Sequence, residues 1–140
     1  MPDSLPSPAP APTPASAAPV PVRLCHAAQL DEKGRAFVFD VLHFKQPATA
    51  FALRFEGRVV AYLNRCLHVP TEMDWQPGEF LDAGREFIIC SIHGATYEPR
   101  GGRCVGGPCG RGRLTSIQVE EIGGAVYWYP SADTQPAFAD

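Results

Sequence analysis

Two short pairs of metal-binding residues constrain the fold of this chain more than any other feature of its sequence. Cys66-Leu67-His68 and Cys90-Ser91-Ile92-His93 each combine a thiol with an imidazole, and a spacer of 21 residues (69–89) separates them. Two thiolates and two imidazoles suit a Cys2His2 zinc site or a two-iron cluster in which histidines replace two of the cysteines. Either site requires two distant loops to meet at one point, so the remaining chain must form a scaffold that holds them together.

Short runs rich in β-branched and aromatic residues follow one another from Val22 onward and predict an all-β protein. Two hairpin turns are expected, at Glu56-Gly57 and at Gly123-Gly124. No window of a dozen residues keeps the apolar period of a helix. We therefore expect an antiparallel β-sandwich or small barrel, with strands at 35–44, 49–56, 58–63, 86–91, 95–98, 114–120 and 125–129.

The stretch from residue 64 to residue 113 is less regular than its flanks. It holds both pairs and four of the five cysteines, and seven glycines lie between residues 94 and 112. Glycine-rich backbone favours turns and loops over strand ladders. Because loops can turn several side chains toward one point, this stretch is predicted to be a loop-rich metal-binding subdomain.

The order of motifs in this stretch resembles the Rieske iron–sulfur family. The matching features are C-x-H at Cys66, C-x-x-H-G at Cys90, an aromatic residue at Tyr97, and a third loop containing Gly106-Gly107-Pro108. The resemblance implies a 2Fe–2S cluster, with Cys66 and Cys90 on one iron and His68 and His93 on the other. It also implies that Tyr97 belongs to the surroundings of the cluster and that the third loop, with Gly106, Gly107 and Pro108, covers the cluster.

Within that family, the resemblance favours small ferredoxins and oxygenase components. Respiratory members carry an extra cysteine in each ligand loop, whereas the matching positions here are Thr71 and Ile92. The implied function is a one-electron carrier between a reductase and a terminal oxidoreductase such as an oxygenase. The chain is not expected to be an enzyme, because a separate catalytic domain would need far more residues.

Another interpretation remains open from the residues alone. The two pairs would also suit a zinc- or cluster-stabilised interaction module, or a small subunit of a larger enzyme, without redox turnover of its own. Visible absorption distinguishes these cases, since an iron–sulfur cluster is coloured and zinc is not.

Composition sets the domain limits and the classes of partner. Residues 1–22 hold eight prolines among alanine and serine and are predicted to be a disordered tail, with the domain at 23–140. A formal charge of −3 and a pI near 5.8 give no basic field for nucleic acid or an anionic membrane. With no apolar run of membrane-spanning length and no export signal in view, a cytoplasmic protein is expected.

The remaining reactive side chains are predicted to have ordinary structural roles. Cys104 and Cys109, with four residues between them, are expected to be packed thiols rather than a bridge. Packing or surface positions are expected for Cys25, His26 and His43. The carboxylates of the spacer are expected to form a solvated face: Glu72, Asp74, Glu79 and Asp82.

Overall fold

The structure is a computed structural model that describes residues 20–66, 71–90 and 94–137. Within these ranges the only helical element is a 3₁₀ turn at Ala27–Gln29. The strands are β1 (Val22–His26), β2 (Phe37–His43), β3 (Gln46–Phe55), β4 (Arg58–Leu63), β5 (Ile88–Ile89), β6 (Thr96–Tyr97), β7 (Cys104–Gly106), β8 (Gln118–Ile122), β9 (Ala125–Tyr129) and β10 (Thr134–Pro136). The predicted all-β antiparallel class is confirmed.

The strands of the described residues form three antiparallel sheets. One sheet has the order β1-β9-β8, a second has the order β10-β2-β3-β4, and a third small sheet has the order β5-β6-β7. We call the first two sheets the base and residues 64–113, which include the third sheet, the cluster-binding region. The longest ladders belong to the base, where β2 and β3 pair over seven positions from Phe37↔Ala52 to His43↔Gln46.

Tight turns set the register of the base. Glu56 and Gly57 both have positive φ and connect Phe55 directly to its partner Arg58, as a two-residue hairpin turn requires. Gly123 and Gly124 do the same between β8 and β9. Both predicted turns are therefore confirmed. A third such turn, at Phe44-Lys45, was not predicted, because it contains no glycine.

Three apolar clusters are buried among the described residues, and the two larger ones occupy different parts of the molecule. One lies within the base around Val41, Ala50, Leu63 and Trp128. The other joins β3 to the cluster-binding region and includes Phe51, Phe80, Tyr97 and both cysteines of the sequence pairs. The cysteines of the candidate site therefore lie in the same buried cluster as the strands of the base.

The predicted strands agree best with the structure where they belong to the base. The strands at 58–63 and 125–129 have the predicted bounds, whereas 86–91 and 95–98 shrink to two residues each in β5 and β6. Three strands, β1, β7 and β10, were not predicted. Helices long and apolar enough to span a membrane do not occur among the described residues.

The predicted tail lies outside the described residues as far as residue 19, so its disorder stays a prediction. Val22 belongs to β1 and pairs with Trp128 of β9. The limit between tail and domain at residues 22 and 23 also stays a prediction.

Candidate metal centre

The two sequence pairs begin two loops that are closed in the same way. The backbone N–H of Cys66 donates to the carbonyl of Thr71 at 2.9 Å, and that of Cys90 donates to the carbonyl of Ala95 at 2.8 Å. Each hydrogen bond spans five residues and brings the two ends of its loop together. The second loop is tightened further, since the N–H of Gly94 donates to the carbonyl of Cys90 at 2.9 Å.

Both thiols are withdrawn from solvent within one cluster of side chains. Cys66 is 2 % exposed and Cys90 is fully buried, and they share this cluster with the fully buried Ala95 and Tyr97. The hydroxyl oxygen of Tyr97 lies 3.7 Å from the sulfur of Cys66. A phenol at this distance from a thiolate ligand can stabilise its negative charge, since hydrogen bonds to charged groups are the strong ones.

The two histidines of the pairs, His68 and His93, lie outside the described residues. Their positions in the sequence place each of them within a loop whose ends are fixed by the backbone hydrogen bonds of Cys66 and Cys90. The assignment of all four residues as ligands therefore stays a prediction, supported here by the burial of the cysteines and the closure of both loops.

Asn64 fixes the chain just before the first loop. The sequence did not predict this role, because only the position of Asn64 two residues before Cys66 connects it with the site. It is 5 % exposed, and its side-chain oxygen accepts the N–H of Met73 at 2.8 Å. Its amide nitrogen donates to Thr49 of β3 and to the carboxylate of Asp74, each at 3.2 Å. The buried side chain of Asn64 therefore ties the chain before the first loop both to β3 of the base and to the spacer residues Met73 and Asp74.

The long spacer is folded rather than open. Phe80 is 1 % exposed and stacks on Phe51 of β3, with ring centroids 3.7 Å apart and an interplanar angle of 11°. Met73 and Leu81 are also buried. Since burying a large apolar side chain is favourable by about 1.5–3 kcal/mol, these residues hold the spacer onto the base.

The spacer carboxylates agree only in part with the predicted solvated face, since Glu72 is exposed whereas Asp74, Glu79 and Asp82 are partly buried. Glu72 accepts a hydrogen bond from Thr49, and Asp74 accepts from Gly78 as well as Asn64. Glu79 pairs with Arg35 and Arg85, and Asp82 accepts the N–H groups of Glu86 and Phe87. The spacer has few strand-to-strand hydrogen bonds, so its backbone N–H groups need other acceptors. These carboxylates accept hydrogen bonds from such N–H groups and from nearby side chains.

Tyr62 links β4 to the segment that leads into the third loop. Its hydroxyl donates to the carbonyl of Pro99 at 2.6 Å, and burial raises its pKa to about 12. Gly102 packs against the same ring, where an added Cβ would lie 2.8 Å from Cε1 of Tyr62. With φ at +75°, Gly102 also adopts a backbone conformation that other residues rarely take.

The third loop contacts the second loop through its glycines. A Cβ on Gly107 would lie 2.7 Å from the carbonyl oxygen of Gly94 and 2.8 Å from the Cα of Ala95. Gly106 pairs with Thr96 in the small sheet. The predicted covering segment, Gly106-Gly107-Pro108, is therefore in direct contact with the residues that follow His93 in sequence.

A disulfide joins Cys104 to Cys109, which corrects the prediction of two packed thiols. The chain turns directly after β7 and brings the two Cα atoms to 5.8 Å, within the normal range for a bridge. Spacing alone could not reveal this, because the separation of the Cα atoms depends on the turn.

The other predicted structural side chains behave as expected. Cys25 packs with Ala27, Leu30 and Val126, and burial raises the pKa of its thiol. His26 is exposed at the end of β1, and Nδ1 of His43 lies 3.0 Å from the hydroxyl of Thr134.

Comparison with known families and structures agrees with this geometry. The family model described as "Rieske [2Fe-2S] domain" matches residues 20–122. A search of curated protein sequences found no match.

Solved structures give the same fold. The ferredoxin of carbazole 1,9a-dioxygenase from Nocardioides aromaticivorans IC177 is 24% identical, with a TM-score of 0.63 over 80% of this chain and 99% of that one. The terminal oxygenase of the same system is 19% identical, with a TM-score of 0.64 over 86% of this chain and 32% of that one. An oxygenase and ferredoxin complex of carbazole 1,9a-dioxygenase is 20% identical, with a TM-score of 0.64 over 88% of this chain and 34% of that one.

Proposed function

The chain belongs to the Rieske [2Fe-2S] domain family, and from this we propose that it carries single electrons to a terminal oxidoreductase such as an oxygenase. The family match confirms the predicted resemblance and the predicted cofactor, a Rieske-type 2Fe–2S cluster. Such a cluster, when bound, supplies a one-electron redox centre whose potential the surrounding protein tunes.

The residues present fit this group. We assign Cys66 and Cys90 to one iron and His68 and His93 to the other, as the paired motifs imply. Thiolate ligands need a site shielded from competing water, and both cysteines are buried in one apolar cluster. This shared burial, at the ends of two loops closed by equivalent backbone hydrogen bonds, is the observation that carries the proposal.

The remaining residues of the site hold the ligand loops and tune the sulfur charge. The Tyr97 hydroxyl is placed to donate to the Cys66 sulfur, which favours the more negative reduced state. Asn64 and Tyr62 fix the chain on either side, so the site changes charge with little movement of its surroundings.

The comparisons support an acceptor of the oxygenase class. The ferredoxin among the solved structures is matched over 99% of its length, whereas the chain spans about a third of the oxygenases. We therefore propose a carrier that is not itself an enzyme, with a reductase as donor, in the cytoplasm. Co-purification of the tagged protein from its native cells tests the partners, and recovery of an oxygenase component is the expected result.

Reductive titration tests the carrier function directly. Under anaerobic conditions, the protein should take up one electron per chain from dithionite and return it to ferricyanide with full recovery of its visible spectrum. The Cys66→Ser variant is the control and should take up none. Uptake of no electron by the wild type, or a spectrum that does not recover on reoxidation, would contradict the proposal.

A further inference from the structure

The disulfide between Cys104 and Cys109 encloses the segment proposed to cover the cluster. Gly106-Gly107-Pro108 lies inside the ring that it closes, and we call residues 104–109 the covering loop. The two cysteines are 7 % and 8 % exposed, whereas Val105, Gly107 and Pro108 are exposed. The bridge therefore lies beneath the loop and on the side that faces the protein.

The sulfur atoms contact the backbone that the covering loop shares with the second ligand loop. The sulfur of Cys109 lies 3.3 Å from the carbonyl oxygen of Gly106 and 3.9 Å from that of Thr96. Gly107 lies so close to Gly94 and Ala95, which directly follow His93 in sequence, that no side chain fits at its position. A continuous set of contacts thus runs from the disulfide to the backbone next to a proposed ligand.

The composition of the loop explains why a cross-link matters there. Gly106 and Gly107 within the covering loop, and Gly110 and Gly112 after it, give the unlinked segment more conformational freedom than other residues would. Two backbone hydrogen bonds hold the ends of this segment. The N–H of Cys104 donates to the carbonyl of Gly112, and the N–H of Gly112 donates to the carbonyl of Cys109. Closing a short ring with a disulfide removes much of the remaining freedom.

We propose that the Cys104–Cys109 disulfide is a thiol-exchange site that controls how firmly the covering loop shields the cluster; this inference rests on the proposed function. A cellular dithiol reduces it: the S–S bond of the chain breaks, an S–S bond forms in the reductant, and two electrons and two protons pass to Cys104 and Cys109. The loop then loosens from Gly94 and Ala95, and water and oxygen reach the cluster more readily.

The proposed compartment gives this chemistry a role. Cytosolic disulfides are rare, and those that occur are usually transient and serve catalysis or redox sensing. Exchange requires a thiolate to reach one sulfur atom, and the residues between the two cysteines include the exposed Val105, Gly107 and Pro108. Under this proposal, the lifetime of the cluster reports the thiol–disulfide state of the cell.

The experiment follows cluster lifetime and thiol state in the full, cluster-loaded chain. The protein is treated anaerobically with dithiothreitol, freed of reagent and exposed to air, while visible absorption follows the cluster and alkylation with mass spectrometry counts thiols at Cys104 and Cys109. We expect two new thiols and a cluster half-life at least about fivefold shorter, restored by reoxidation of the bridge.

Variants separate exchange from direct attack on iron by the reagent. The double variant Cys104→Ser, Cys109→Ser should have the short half-life at once, with no further effect of dithiothreitol, whereas Cys25→Ser should behave as the wild type. A half-life independent of the bridge, a loss equally accelerated in the double variant, or no alkylation of the folded protein would overturn the inference. Absence of iron and sulfide from the untreated wild type would instead contradict the proposed function.

Discussion

The base and the cluster-binding region reach order by different means. In the base, β3 pairs with β2 over seven positions and with β4 over six, and two-residue turns connect these strands. In the cluster-binding region, strands β5, β6 and β7 have only two or three residues. The side chains of Asn64, Tyr62 and the stacked Phe80 hold that region to the base, and a disulfide closes one loop within it.

The difference shows what a loop-built metal site requires. A strand ladder satisfies its backbone groups through a repeating pattern, whereas a loop must satisfy each group separately. Individual side chains in the cluster-binding region therefore matter more than individual residues of a ladder. Matched substitutions in the two regions test this difference.

The largest difference is expected between two buried cysteines. Cys66→Ser removes a proposed ligand, so the purified variant should lose nearly all of its iron and its visible absorption. Cys25→Ser makes the same substitution at a cysteine of the base that is 4 % exposed. This variant should keep the iron content of the wild type. Iron analysis of both variants checks this, and equal iron in the two would remove Cys66 from the ligand set.

The two buried polar residues among the described ranges, Asn64 and Thr134, give the next comparison. Asn64→Ala leaves the N–H of Met73 buried without its acceptor and should cost about 2 kcal/mol of unfolding free energy, with faster loss of the cluster. Thr134→Ala, which loses a contact with His43 in the base, should cost about 1 kcal/mol and leave cluster lifetime unchanged.

Urea unfolding and the decay of visible absorption measure these two effects. If Thr134→Ala shortens cluster lifetime as much as Asn64→Ala does, the two regions are not energetically distinct in the way proposed here.

The ligand motifs and most strands of the base could be predicted from the sequence. The contacts that join the two regions could not. Regular alternation and the turns at Glu56-Gly57 and Gly123-Gly124 are local signals, so β4 and β9 were predicted with their observed bounds. The hydrogen bonds of Asn64 and the Cys104–Cys109 bridge depend on how distant segments or a turn meet in space. The glycine-free turn at Phe44-Lys45 shows a third case, in which strand pairing imposes positive φ without the usual residues.

Tyr62 provides a comparison that depends on pH. Its pKa is raised to about 12 by burial, so the folded chain binds this proton more tightly than the unfolded chain does. The resulting stability is complete below about pH 10 and is lost as the pH rises through 12. Tyr62→Phe should cost about 1 kcal/mol at pH 7, through loss of the hydrogen bond to Pro99, and should weaken the loss of stability at alkaline pH.

Urea unfolding between pH 7 and pH 12 measures both consequences. Tyr127→Phe, at a partly buried position of β9, is the matched control and should keep the pH dependence of the wild type. A Tyr62→Phe variant whose stability falls as steeply as that of the wild type above pH 10 would contradict the assignment.

The smallest expected effects concern the reduction potential. High-potential members of the Rieske family carry hydroxyl donors at the positions that match Ala95 and Tyr97, and this chain keeps only the second. Its potential should lie in the lower half of the family range of about −150 to +300 mV. Ala95→Ser should raise it, and Tyr97→Phe, which removes the hydroxyl 3.7 Å from the Cys66 sulfur, should lower it, each by about 40 mV.

Protein-film voltammetry of the wild type and both variants tests this hydrogen-bond account. Because Ala95 is fully buried beside Gly107, the serine oxygen enters an enclosed site. A wild-type potential in the upper half of the range, or no response to either substitution, would refute the account.

The most direct test of the central claim is the metal and sulfide content of the purified wild-type chain. The two thiolates and two imidazoles of the sequence pairs are enough to complete one cluster, so the account predicts about two irons and two acid-labile sulfides per chain. One zinc per chain with no sulfide would contradict it.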